Sequence, residues 1–524
     1  MNMKFVQFYF LFGIVSACSG YRILGAFPFN GKSHHIVFEA LMKGLAKHGH
    51  QVDMITHFPL NKPMKNYNVI INLAGSMESF VNNITIKFAS ELSNDMVIPI
   101  ATIYGNRLCD FMGFEEMQKL FKNPPTDPPY DLVITEAFGA HCYMGLGYVF
   151  DVPVVAVMST MEYPWVSYFT GNNDNLAFVP NIYHIGSGSM SFWERLKNVA
   201  IHFASLRKFH TLTEEIQTQS MRKYLRPDIP NIREVEKNVA LTLVNNHPVL
   251  YGVKPITPAL VQIAGLHIES NEEVLSLELN KWMNDSSHGV VCFTLGSMIL
   301  IETLPKETLE EIYDSFKKIS PIRILMKIAD NSKLPPGLPE NVKVSSWIPQ
   351  QAVLAHPNTK IFITHGGLGG VQEALYYGVP MIGIPLFNDQ KKNTEVFVAK
   401  QMMIKIDFDK LSGKLLESAL QAMLHNPIYK EKSMHYSKLF RSRPISPLNN
   451  AIYWIEYVIQ NGADSLRSPA LQFSWWQLAL LDVYGFILLV IILSKILAVL
   501  SIKLIFTKII GKSNNSKLNK KKTH

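Results

Sequence analysis

Two groups of residues in this chain have the types and spacing to do chemistry. The first is His34-His35, which follows Gly31-Lys32-Ser33, together with Glu136, which ends the apolar run Asp131-Leu132-Val133-Ile134-Thr135. Imidazole titrates near neutral pH and suits general-base work. A carboxylate beside it fixes the tautomer and stabilises the imidazolium. Such a pair can take a proton from a hydroxyl. The second group is one unbroken stretch, WIPQQAVLAHPNTKIFITHGGLGGVQEALYYGVPMIGIPLFNDQKKN, residues 347–393. Trp347 offers a flat face to an aromatic base, and Gln350 can bond its edge. His365 can donate to a phosphate oxygen, and Glu373 can accept from a pair of ribose hydroxyls. Asp389 and Gln390 can hold sugar hydroxyls. The glycines Gly366, Gly367, Gly369 and Gly370 let a diphosphate approach the backbone.

These residues need elements to hold them. Ile361-Phe362-Ile363-Thr364 has the apolar, β-branched character of a buried parallel strand. His365-Gly366-Gly367 turns the chain, Leu368 to Tyr377 continues as a helix, and Gly378-Val379-Pro380 stops it. Met381 to Ile384 is the next strand. Ligands bind such βαβ units at the carboxyl ends of the strands, and the helix start offers free N–H groups and a positive dipole end. Upstream, Gly289 to Leu295 reads as a strand running into Gly296-Ser297, where Ser297 can reach a phosphate. Near the N-terminus, Tyr21 to Ala26 and Val52 to Thr56 read as strands flanking a helix that His34 opens. The same stretch also imitates a dinucleotide fingerprint, with Gly367-Leu368-Gly369 and then Asp389 about 20 residues on. Gln372 stands where the third glycine would be, and the unit comes late in the chain, so a dinucleotide site is the weaker reading.

Residues 347–393 resemble the signature of the UDP-glycosyltransferases, and GKSHHIVFEAL resembles that family's catalytic loop, in which a histidine follows serine. His34 matches that histidine; His35 falls one place beyond. The resemblance implies an α/β fold of two facing Rossmann-like domains (GT-B type). It implies His34 and Glu136 as the catalytic pair, and Ser297, Trp347, Gln350, His365, Gly367, Gly369, Gly370, Glu373, Asp389 and Gln390 as the donor site. It further implies inverting transfer of a sugar from a UDP-sugar to a hydroxyl of a small lipophilic acceptor. No cofactor and no metal take part; the one Asp-x-Asp, Asp407-Phe408-Asp409, falls outside the unit and reads as a solvated loop. The wording of GKSHHIVFEAL and PLFNDQ is most like insect members, which favours glucose over glucuronic acid. The chain departs from the family where side chains often help to hold phosphate: Gly369 and Gly370 stand in place of Asn or Ser, and Met298 in place of Asn. That departure keeps a second possibility in view, a catalytically weak member that binds lipophilic ligands. Phe138, Tyr143, Met144, Met158, Trp165 and Phe169 are apolar enough to line an acceptor pocket, or to be plain core.

The two ends bound the rest. Residues 1–20 read as a secretory signal, with Lys4 before an apolar core and small residues before Tyr21. Residues 21–265 then form the acceptor domain, 266–445 the donor domain, and 446–477 a return helix and membrane-proximal segment. The Pro- and Gly-rich run 247–267 reads as the linker. Residues 478–502 are long and apolar enough for one transmembrane helix, with Trp475, Trp476 and Tyr484 suited to the interface. The tail 503–524 is rich in lysine and has no acid. It accounts for most of the formal charge of +8, so nucleic acid has no electrostatic claim on the rest. The positive-inside rule places the tail in the cytosol and the domains in the lumen. Lys521-Lys522-Thr523-His524 resembles the dilysine retrieval signal of endoplasmic reticulum proteins. Asn83 and Asn284 open glycosylation sequons. Once a signal is removed, Cys109, Cys142 and Cys292 allow one disulfide at most. A homo- or hetero-oligomer is left open.

Overall fold

A computed structural model describes residues 20–78, 80–91, 95–172, 174–183, 189–269 and 274–520. Most of the expected signal, residues 1–19, and the terminal Lys521–His524 lie outside these. The chain forms two compact units, one ending at Ser468 and the other starting at Pro469.

The first half builds a parallel sheet. β1 (Arg22–Phe27), α1 (Lys32–Lys47), β2 (Gln51–Thr56) and β3 (Tyr67–Asn72) come first, then the short β4 (Ile84–Thr85) and α2 (Ile86–Glu91). β5 (Leu132–Glu136), β6 (Val154–Met158), β7 (Val239–Val244), the helical turn α3 (Pro248–Tyr251) and β8 (Leu260–Gln262) complete it. The strand order is β3-β2-β1-β5-β6-β7-β8, so the winding reverses between β1 and β5. β5 and β6 are buried at every position, as a sheet covered on both faces requires. Cys109 and Cys142 form the disulfide. Tyr143, Met144, Met158, Trp165 and Phe169 lie in the core on one face of this sheet; they are core, not cleft lining. The Pro-rich run 247–267 is more than a linker, because it contains α3 and also β8, which pairs with β7.

The second half repeats the plan. β9 (Val290–Thr294), β10 (Ile299–Leu300), β11 (Arg323–Lys327), β12 (Val342–Ser345), α4 (Gln350–Ala355), β13 (Thr359–Thr364), α5 (Leu368–Tyr377), β14 (Met381–Gly383), α6 (Gln390–Ala399) and β15 (Met403–Lys405) follow in order. Six of these strands form a parallel sheet ordered β12-β11-β9-β13-β14-β15. Its winding reverses between β9 and β13. β9 is wholly buried, and each Val or Phe in such a strand contributes roughly 1.5–3 kcal/mol by burial. α5 starts at Gly367 in extended conformation and ends at Gly378, whose φ of 65° is left-handed, as a terminating glycine allows.

Two segments cross between the halves. β4 pairs with β10 in a separate two-stranded sheet, and Ile84, Ile86 and Ala89 pack into the core of the second sheet. Later, α7 (Pro447–Asn461) returns to the first half, where Ala451, Ile452, Ile455 and Val458 pack with α1 and β7 residues.

The second unit holds the long helix α8 (Leu481–Lys520), whose residues Leu481–Ile510 are long and apolar enough to cross a membrane. It starts a little after the expected residue 478 and runs past 502, because Lys503 and Lys508 are good helix formers and no proline interrupts the helix.

Candidate active site

Both reversals of winding face one cleft of about 470 Å³, with carboxyl ends of strands from each sheet around it. Such a switch point is where open α/β sheets bind ligands. On the first-half side, α1 begins at Lys32 directly after the loop from β1, which sets His34 in its first turn. Glu136 is the last residue of β5. The two meet with His34 Nδ1 2.5 Å from Glu136 Oε1. Glu136 is buried, while His34 keeps a partly open face. The rings of Phe29 and Phe138 pack edge-on against the imidazole at 4.7 and 4.8 Å. Bonding at Nδ1 leaves Nε2 for a substrate proton.

His35 is placed differently. It is buried between α1 and β2, with Nδ1 3.2 Å from Thr56 Oγ1 and Nε2 3.2 Å from Glu39 Oε2. Burial lowers its pKa. Burial alone would raise Glu39, but bonds to His35 and Lys43 pull it down to about 2.

On the second-half side, Trp347 is 43% exposed and lines the cleft with Gln350. Glu373 is held from three directions. Gln350 Nε2 and Gln351 Nε2 donate to its two oxygens, and His267 Nε2 lies 3.5 Å from Oε1. His365 stands between two glycines. A Cβ at Gly296 would lie 2.6 Å from its Cε1, and one at Gly367 would lie 2.6 Å from its Nε2. Any side chain there would displace the imidazole, which is a firmer reason for glycine than flexibility. Burial, with help from the nearby Lys327 charge, pushes the His365 pKa down to about 4. The ring is therefore neutral near pH 7 and acts as a hydrogen-bonding group. Its Nδ1 is buried without a hydrogen-bond partner among the described residues.

Asp389 caps α6 and accepts from Asn393 Nδ2 at 2.8 Å. Asn393 also donates to the Gly366 carbonyl at 3.0 Å and accepts from the Tyr251 hydroxyl of α3. Burial raises the Asp389 pKa; the Asn393 bond and the charge of His34 pull the other way. His34 and Asp389, from opposite sheets, are thus close enough to feel each other. Gln390 is buried, and its carbonyl accepts from the Leu386 and Phe387 N–H groups at 2.9 and 3.1 Å. That shapes the loop before α6 and leaves the amide nitrogen for a ligand. Ser297 and Gly369 line the cleft, and a Cβ on Gly369 would meet open space. Gly370 is tighter: a Cβ would come within 3.3 Å of Gln350 Nε2.

Gln372, in the place of a third fingerprint glycine, is fully buried. It donates to Asn245 Oδ1 at 2.9 Å and accepts from the Gly265 N–H at 3.1 Å. It ties α5 to the chain that joins the two sheets, so the dinucleotide reading fails on packing. Asp407 pairs with Lys405 at 2.9 Å and with Lys410 at 3.5 Å, apart from the cleft lining. Asn284 is exposed. Asn83 is half-buried, and its Nδ2 donates to Glu78 Oε1 at 3.1 Å.

Sequence reasoning missed Lys327, His267, Asn245, Ser159 and Thr160, all of which line the cleft. Lys327 carried one readable signal, a cation ending the apolar strand Arg-Ile-Leu-Met-Lys.

Comparison with known proteins gives a consistent result. A family model described as "UDP-glucoronosyl and UDP-glucosyl transferase" matches residues 77–516. "UDP-glycosyltransferase UGT5" of Dactylopius coccus is 32% identical over 538 residues, covering 99% of this chain and 99% of that one. "UDP-glucosyltransferase 2" of the same insect is 33% identical over 487 residues, with 91% of each covered. "UDP-glucuronosyltransferase 2B15" of Rattus norvegicus is 31% identical over 403 residues, covering 76% of this chain and 74% of that one. Among solved structures, glycosyltransferase VinC in complex with DTDP aligns with a TM-score of 0.56 at 17% identity, covering 84% of this chain and 100% of that one. The glycotransferase of kitacinnamycin aligns at 0.54 and 18%, covering 84% and 99%. These two likenesses concern the fold alone.

Proposed function

The chain belongs to the UDP-glycosyltransferase family, and from that premise we propose that it moves glucose from UDP-glucose to a hydroxyl of a small lipophilic acceptor, with inversion and without a metal. The observation that carries this reading is the His34–Glu136 pair facing Asp389 across the cleft. The acceptor hydroxyl gives its proton to His34 Nε2 as its oxygen attacks the anomeric carbon. The bond from that carbon to the diphosphate oxygen breaks on the opposite face, and UDP leaves. Glu136 stabilises the imidazolium. The α5 N-terminus, His365 and Ser297 receive the charge developing on the diphosphate. Asp389 and the Gln390 amide hold sugar hydroxyls, Glu373 holds the ribose, and Trp347 covers uracil with Gln350 at its edge.

Glucose is supported by the likeness to "UDP-glucosyltransferase 2", although "UDP-glucuronosyltransferase 2B15" is nearly as similar. The division into an acceptor domain at 21–265 and a donor domain at 266–445 belongs to the same proposal. So does placement in the endoplasmic reticulum membrane, anchored by α8, with the domains luminal and glycosylated at Asn83 and Asn284. The test is UDP release from microsomes carrying the chain, given a panel of phenols with UDP-glucose or UDP-glucuronic acid. Acceptor-dependent release with UDP-glucose in preference supports the proposal. Preference for UDP-glucuronic acid overturns the sugar. UDP binding without release under any acceptor favours the ligand-binding alternative that Gly369, Gly370 and Met298 motivate.

A further inference from the structure

Lys327 is the last residue of β11 and is 94% buried, being 6% exposed. Its ammonium donates to the Gly296 carbonyl at 2.7 Å and to Asn82 Oδ1 at 2.6 Å. Among the described residues no carboxylate lies within ion-pair distance of it. Glu302 acts on it only at longer range, and that carboxylate already accepts from the Ala329 and Asp330 N–H groups. A buried charge without a counter-charge is unstable, and two carbonyl dipoles offset that only in part. The ammonium has three N–H donors, and these two bonds use two of them. It lines the cleft beside Ser297 and His365, and lies 5.8 Å from the Trp347 ring.

The missing counter-charge has an obvious source once the cleft is read as a UDP-sugar site. Uracil and ribose are neutral, whereas the diphosphate is strongly anionic. Lys32 and Lys43 also line the cleft, but both are paired with Glu39, and the groups around the start of α5 are weakly charged. His365 is neutral near pH 7, Gly369 and Gly370 offer no side-chain donor, and a helix N-terminus supplies only about half a positive charge. Gly296, on whose carbonyl the ammonium rests, packs against the His365 ring, so the cation and the imidazole flank one turn.

We propose that Lys327 is the full positive charge that holds the donor diphosphate in this chain, and that Asn82, reaching over from the first half, fixes its ammonium against the Gly296 turn. Asn82 is well placed for this. Its N–H donates to the Ser297 carbonyl at 2.9 Å, and the Asn83 and Ile84 N–H groups donate to the Met298 carbonyl at 3.1 and 3.0 Å. The donor turn 296–298 is therefore gripped by a strap from the acceptor side. The charge on the diphosphate grows as the sugar leaves, so the lysine assists the departure as well as the binding.

The proposal rests on the UDP-sugar reading, and the test separates the two. Full-length wild-type, Lys327→Gln, Lys327→Arg and Asn82→Ala proteins are titrated with UDP, UMP and uridine, and assayed with UDP-glucose and UDP-glucuronic acid. Glutamine keeps a donor for Gly296 while removing the charge. It is expected to weaken UDP on the order of 30-fold, UMP less, and uridine by less than about 3-fold. Arginine should recover most of the loss, and Asn82→Ala should give a smaller loss with the same order of ligands. Equal weakening of uridine and UDP would assign Lys327 to the Trp347 face or to the fold, and would overturn the proposal. Unchanged UDP binding, or a loss confined to UDP-glucuronic acid, would overturn it as well. Should Lys327→Gln not fold, uridine binding reports it, and the Lys327→Arg and Asn82→Ala comparison decides. Wild-type protein that binds no UDP would instead sink the donor reading itself.

Discussion

At the reversal point of the first sheet, the proposed chemistry rests on one pair of side chains. His34 in the first turn of α1 meets Glu136 at the end of β5, and aromatic edges pack around His34. At the reversal point of the second sheet, the polar groups are cross-braced. Glu373 has Gln350, Gln351 and His267 around it, Asp389 has Asn393, and Asn393 has Gly366 and Tyr251. The difference follows from the two tasks. A base must stay free to gain and lose a proton. A donor site must present many hydrogen bonds at fixed positions, because mobile groups would lose ordering entropy on binding. One region should therefore fail at a single substitution, and the other should weaken by degrees.

The largest effect should come from His34→Ala. Losing a positioned base costs typically 10²–10⁴-fold, so kcat should fall by about 10³-fold with UDP affinity unchanged. His35→Ala is the control. Its ring is buried beside Thr56 and Glu39, so the variant should lose stability while the folded fraction keeps kcat within about 3-fold. A reversal of these two results would move the base to His35 and remove the contrast between the regions.

The second effect is on stability and belongs to the donor side. His365 is neutral in the folded protein because burial lowers its pKa from 6.5 to about 4. The unfolded chain binds a proton there first as pH falls. Stability from this site is therefore fully present above about pH 6.5 and lost as pH falls toward 4, by at most about 3 kcal/mol. The melting temperature of wild type should drop across that window, and His365→Gln should flatten part of the drop. An identical pH dependence in the variant would mean that other buried histidines, such as His210, carry the transition.

Glu373→Gln comes next. The carboxylate accepts from neighbouring amides and, in the proposed complex, from ribose. Hydrogen bonds to a charged group are worth about 1.5–3 kcal/mol, so KM for the UDP-sugar should rise about 10–100-fold. Uridine should weaken in step with UDP, since the lost contact is to the ribose. A fall in kcat with unchanged KM would show that the bracing around Glu373 serves the chemistry instead.

The same contrast decides what was legible in the sequence. Most of the proposed donor site occupies residues 347–393 without interruption, so its strand, turn, helix and acid could be read in chain order. The proposed base and its partner lie about a hundred residues apart, His34 in the first turn of α1 and Glu136 at the end of β5, and Glu136 was readable only as an acid ending an apolar run. What could not be read depends on contacts far apart in the chain. β4 and α2 are too short to show a period, yet they pack into the second sheet's core, where Ile86 N–H meets Thr303 Oγ1. β8 was hidden in a Pro-rich run because three residues cannot establish alternation. Lys327 drew no reading, because a sequence does not show that the Gly296 turn and Asn82 close over it. Trp165 and its apolar neighbours could serve a pocket or a core equally well, since burial by protein and burial by ligand ask for the same side chains.

Gly369→Ser should give the smallest effect, and it tests whether the donor side is complete. Gly369 sits in the first turn of α5, a Cβ there meets open space, and the residue lines the cleft. Serine is a better helix former than glycine by a few tenths of a kcal/mol, so the fold should tolerate it or gain slightly. Its hydroxyl would point from the helix start, where the proposed diphosphate lies. One neutral hydrogen bond is worth about 0.5–1.5 kcal/mol, which predicts UDP binding tighter by about 2–10-fold in a titration. Gly370→Ser should not share the gain, because Gln350 and Phe362 stand in the way. Tighter binding in the first variant alone would mean that the cross-braced side still lacks a contact its geometry could accept. No change in either would mean that backbone N–H groups and the charges around them already satisfy the diphosphate.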